Sequence, residues 1–156
     1  MAAMNEKYLP TGARLILGAI FLVFGLNGFF NFMPMPEMPD AAGAFMGALA
    51  ATGYMFPLIK MVEIVGGMFL LFGRFVPLAL ALLAPGIVNI ALFHIFLAPA
   101  GLPMAGLLVL LALYLAWSFR DAYRPMLSSR STPTAKKHPA ERYQYDSPLR
   151  ETVDAR

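Results

Sequence analysis

Apolar residues in this chain gather into four long blocks separated by short polar or proline-rich breaks. The blocks run from about Arg14 to Phe32, Phe56 to Phe72, Phe75 to Leu97 and Leu102 to Phe119. Crossing the hydrocarbon layer of a bilayer takes about 20 helical residues, with roughly 17 to 25 observed. All four blocks reach that length, the second only just. Backbone surrounded by lipid has to satisfy its own hydrogen bonds, so each block is predicted to be a helix. The first is too long for the apolar part of a signal peptide and is followed by no small-residue cleavage site, so it reads as a retained span.

The break after the first block, Met33-Pro34-Met35-Pro36-Glu37-Met38-Pro39-Asp40, cannot be helical. Each proline lacks an N–H and constrains the residue before it. From Asp40, a plausible N-cap, a short helix of Ala, Gly, Phe and Met runs toward Thr52. It is too short to span and is expected to lie along the membrane surface or fold back over the bundle. The predicted fold is therefore all-α: an integral membrane four-helix bundle with a short extracytoplasmic interfacial helix between its first two spans.

Composition agrees with this pattern. Hydrophobic residues make up 59% of the 156 and charged residues only 13%, whereas a soluble domain carries about a quarter charged. The net charge of +3 does not point to nucleic acid, because the basic residues flank the apolar blocks or lie in the C-terminal stretch. With the N-terminus inside, Lys7, Arg14, Arg74 and the basic residues from Arg120 to Arg156 all fall on the cytoplasmic side. The opposite connections carry Glu37 and Asp40, then the uncharged Ala98-Pro99-Ala100-Gly101. This asymmetry predicts both termini inside. Residues 1–125 form the expected membrane domain, and 126–156 a basic cytoplasmic tail, disordered or ordered by a partner. The absence of cysteine excludes disulfides, thiol redox chemistry and cysteine-ligated metals.

Candidate chemistry lies in the polar residues that lipid makes costly. They are Asn27 and Asn31 in the first block, Lys60 and Glu63 in the second, and Asn89 and His94 in the third. At 1.5 Å per residue, Asn27, Glu63 and Asn89 sit roughly 3–6 Å outward of the bilayer centre, and Asn31, Lys60 and His94 roughly 6–12 Å. Asn27 and Asn31 share a helix face, as do Lys60 and Glu63. Asn89 and His94 are about 140° apart and should not share one unless Pro85-Gly86 distorts the helix.

Together these residues suggest a ligand pocket in the outer half of the bundle. Glu63 is the candidate catalytic group, as proton donor or acceptor, and His94 at the rim is placed to exchange protons with the outside. A quinone head group suits this chemistry, because its oxygens need hydrogen-bond partners and its tail needs lipid; no cofactor is otherwise indicated. The competing reading makes Lys60 a snorkelling side chain, Glu63 its ion-pair partner and the asparagines interhelical glue. Gly18, Gly25, Gly66 and Gly67 read as close-packing positions. A copper site on Met33, Met35 and Met38 would have soft sulfur ligands but only His94 nearby, so no metal is assigned.

Several of these residues occur in a recognisable order. They are Arg14-Leu15-Ile16-Leu17-Gly18 with Phe24-Gly25, then Lys60-x-x-Glu63-x-x-Gly66-Gly67 with Gly73-Arg74, then Pro85, Asn89 and His94. Over roughly residues 8 to 125 the chain resembles the DoxX/DoxD-like family of small four-helix bacterial membrane proteins. The resemblance implies a multi-pass protein of the bacterial inner membrane with a link to quinone-coupled respiration. The absence of cysteine argues against direct sulfur chemistry by this chain. Two functions follow: a redox-linked protein binding a quinone-like or other lipid-soluble molecule, or a non-catalytic accessory subunit of a larger membrane complex. The expected partners are membrane lipids and a second membrane protein or another copy of the chain, not nucleic acid.

Overall fold

The structure, a computed structural model, describes residues 2–34 and 37–126. The tail expected beyond the bundle falls outside them from residue 127 on, as does Met35 of the methionine cluster. Four long helices dominate: α1 (Ala2–Phe30), α3 (Met55–Phe72), α4 (Val76–Phe96) and α5 (Leu102–Ser118). A shorter α2 (Asp40–Ala51) follows α1, a 3-10 turn (Pro99–Gly101) precedes α5, and a one-turn α6 (Arg120–Tyr123) ends the bundle. The described residues contain no strand.

Four segments are long and apolar enough to cross a membrane: Tyr8–Phe30, Met55–Phe72, Val76–Phe96 and Pro99–Ser118. Only 17–33% of each span is buried inside the protein. The apolar residues left outside, such as Leu15, Ile16, Leu78, Leu110 and Leu113, would be intolerable in water and are matched to lipid. This is a multi-pass membrane protein. Helix α1 begins well before the predicted Arg14, because Asn5, Glu6 and Lys7 are compatible with helix though not with hydrocarbon.

Consecutive spans are neighbours, and α5 packs back on α1 to close a ring of four. Glycines set the α1–α3 contact. A Cβ built on Gly67 would lie 2.8 Å from the Leu22 backbone nitrogen and 2.9 Å from the Gly18 oxygen. The two backbones therefore touch directly, as small residues allow in membranes. Gly18 meets Gly67, Gly25 meets Ile64 and Gly28 meets Lys60, so the helices run antiparallel.

Two helix ends have a plain local cause. Gly73 adopts φ 69°, and its N–H bonds to Leu70 O at 3.2 Å while Arg74 N–H bonds to Phe69 O at 3.1 Å. This is the Schellman arrangement that glycine favours, and the Phe69 and Phe75 rings meet across it at 5.5 Å. At the far end of α1, Asn31 takes φ 48°, a conformation asparagine tolerates. Tyr123 of α6 donates its hydroxyl to Pro77 O at 3.0 Å, clasping the end of α5 to the start of α4.

The dense core lies toward the end of the bundle that holds the α3–α4 turn. Leu17, Leu70, Leu83 and Leu115 are fully buried there, one from each span. Toward α2 the packing loosens and leaves a partly open cavity.

Candidate functional site

The cavity measures about 470 Å³ and draws its wall from all four spans and α2. That volume suits a small organic ligand. Its wall is mostly apolar, with Phe24 from α1, Phe45 and Met46 from α2, Ile59 from α3, Phe93 from α4 and Met104 from α5. Helix α2 folds back over the bundle: Ala42 is fully buried, and the Phe45 ring meets Phe93 at a tilt, 5.8 Å between centres. A second hollow of about 500 Å³ lies between α4 and α5 but has no charged side chain in its wall.

Lys60 and Glu63 bring charge into the first cavity. They are three residues apart on α3, so their side chains meet on one face. Lys60 Nζ lies 2.8 Å from Glu63 Oε2, with the two side chains only 17% and 10% exposed. Glu63 is the one buried charged residue among those described. The ammonium also sits 5.5 Å from the centre of the Phe56 ring, where the π face adds attraction. Gly28 and Gly25 of α1 leave the space for this pair. A Cβ at Gly28 would overlap the Lys60 stem, and one at Gly25 would crowd Glu63 Cβ at 3.2 Å.

His94 occupies the wall contributed by α4. Its Nδ1 is 2.9 Å from Ala98 O, and its ring meets Phe93 edge-on at 5.2 Å. Gly101 lies against the ring, and a side chain there would displace it. Asn89 also lines the cavity. Asn89 and His94 thus reach one space although they are not on one helix face, because the cavity is wide enough to meet both flanks of α4.

Asn27 and Asn31 do not line the cavity. Asn27 Oδ1 accepts the Met33 N–H at 2.6 Å, and the Asn31 N–H bonds to Asn27 O at 2.9 Å. The Asn27 side chain ties the chain after α1 back to its last turn, and Asn31 turns the chain away from the helix. Two residues that do shape the cavity were not singled out from sequence as site residues. Gly28 carried a legible signal, lying three residues from Gly25 on one face of α1, whereas nothing local marked Gly101.

The arrangement suits a molecule with a polar head and an apolar body. Lys60 can donate hydrogen bonds, Glu63 can accept them or hold a proton, and Asn89 can do either. Among the described residues no three His, Cys, Asp or Glu side chains are grouped to hold a metal ion.

No curated protein and no solved structure matches the chain. The DoxX family model matches residues 9–96, a stretch that includes α3 and α4 with Lys60, Glu63, Asn89 and His94 but stops before α5. With more than half of its 156 residues matched, the protein belongs to the DoxX family, a family of small membrane proteins.

Proposed function

We propose that this protein binds a quinone-like or other lipid-soluble molecule in the cavity under α2, in a role linked to respiration. In this reading it resides in the bacterial inner membrane with both termini in the cytoplasm, so the cavity lies in the outer half. The carrying observation is the Lys60–Glu63 pair, held at 2.8 Å inside a cavity whose other walls are mostly apolar. Ionisable groups within a membrane span are costly and mark functional paths or sites. Glu63 and Lys60 would hold the polar head, with Glu63 giving or taking a proton, while the aromatic and methionine wall holds the rest.

Native purification followed by mass spectrometry of the bound lipids tests this reading. A quinone or similar molecule is expected to accompany the wild-type protein and to be lost from Glu63→Gln. Unchanged ligand content in both Glu63→Gln and Lys60→Met would sink the idea.

A second reading, an accessory subunit, draws support from α2. Beyond Asp40 at its start, its exposed residues are Ala41, Ala44, Gly47, Ala48, Ala50 and Ala51, small and uncharged, whereas an interfacial helix usually presents a charged face along its length. Deleting residues 126–156 should then release a partner while leaving the bundle folded. A partner-free protein after mild extraction would count against this reading.

A further inference from the structure

We infer that the cavity selects an aromatic alcohol, a phenol or quinol head, whose hydroxyl donates a hydrogen bond to Nε2 of His94. The inference deepens the ligand-binding reading above and rests on it.

A backbone carbonyl has no proton to give, so the 2.9 Å contact between His94 Nδ1 and Ala98 O requires the hydrogen to be on Nδ1. In the neutral ring this leaves Nε2 bare, as an acceptor. Nε2 makes no hydrogen bond among the described residues, and no unpaired side-chain nitrogen or oxygen is buried there. Nε2 is therefore not sealed inside the protein, and the ring that carries it lines the cavity. Gly101 against the ring and the edge contact with Phe93 hold it in that orientation. Turning it over would break the bond to Ala98.

The other polar groups in the wall are Lys60 and Glu63 from α3 and Asn89 from α4; α1, α2 and α5 contribute no titratable side chain to it. A head with carbonyl oxygens alone finds its donors at Lys60 and Asn89 but leaves Nε2 without a partner. A hydroxylated head satisfies Nε2 as well. Sites built to bond a hydroxyl reject analogues that lack it, because their own polar group is then left unpaired.

The test uses the full chain in lipid nanodiscs and two ligands of similar shape, para-octylphenol and its methyl ether. The phenol is expected to bind about tenfold more tightly, the effect of roughly one hydrogen bond. With histidine labelled by nitrogen-15 and His138→Gln removing the other imidazole, the phenol alone should move the Nε2 resonance. His94→Phe should bring the two ligands to similar affinity by weakening the phenol. Equal binding of both ligands to the wild type, a stationary Nε2 resonance, or a phenol preference that persists in His94→Phe would overturn the selection and leave the cavity reading standing. Failure of both ligands to bind the wild type would overturn the two together. The resonance measurement decides the matter if His94→Phe does not fold.

Discussion

Lys60 and Glu63 neutralise each other in a place where neither would be tolerated alone. Removing one partner strands the other in a poorly solvated space, which costs about 3–5 kcal/mol for a buried pair. Lys60→Met is therefore expected to lower the unfolding temperature in detergent clearly, and the double variant Lys60→Met/Glu63→Gln to recover most of the loss. Additive losses would show that the pair is not coupled. Tyr123 gives a second residue-level prediction. Burial raises its phenol above the usual value of 10.0, so the folded state holds this proton more tightly than the unfolded chain. Its contribution is fully present below the unfolded pKa and is lost as pH rises through the folded one. Tyr123→Phe, lacking the bond to Pro77, should cost about 1 kcal/mol near neutral pH. It should also remove the part of the alkaline destabilisation that belongs to this group. At this scale the sequence was only partly legible. Asn27 and Asn31 carried the same polar signal as Asn89, yet Asn27 bonds the Met33 N–H and Asn31 turns the chain at the end of α1, because proximity to a helix end competes with depth in the membrane.

Helices α1 and α3 depend on close backbone contact, and glycine is what permits it. Gly67→Leu would force Leu22 and Gly18 apart and is expected to destabilise the bundle, while Gly67→Ala should cost less, about 1–3 kcal/mol for overpacking. Thermal unfolding of the two variants orders them, and equal tolerance of both would mean that the contact is loose. At the turn between α3 and α4, Gly73 has two reasons to be glycine. Its φ is 69°, and a side chain there would overlap the Arg14 guanidinium. The spans were plain in the sequence because hydrophobic length is a local property. The place of α2 was not, since a short helix of Ala, Gly, Phe and Met suits either a membrane surface or the roof of a cavity. Here Phe45 and Met46 reach the wall, and the fully buried Ala42 fixes α2 against the bundle.

For the whole molecule, the proposed orientation makes a labelling prediction that the cysteine-free chain renders simple. Thr52→Cys and Pro99→Cys should react with a membrane-impermeant maleimide added outside intact cells. Arg74→Cys and Arg124→Cys should react only after the membrane is opened. The reverse pattern would invert the bundle and turn the cavity toward the cytoplasm. Packing divides the molecule in the same direction. The end with the α3–α4 turn holds the dense leucine core, and the end with α2 holds the cavity and its polar residues.

By itself the sequence determined the four spans, their helical state, the DoxX likeness and the meeting of Lys60 with Glu63, all consequences of hydrophobic length or of neighbours along one helix. Tertiary structure decided which polar residues share a space. It took Asn27 and Asn31 out of the cavity, brought Asn89 and His94 to it from two flanks of α4, and set Gly28 and Gly101 against Lys60 and His94. A cavity is the volume that separate helices fail to fill, so its shape depends on how they cross and not on any one segment.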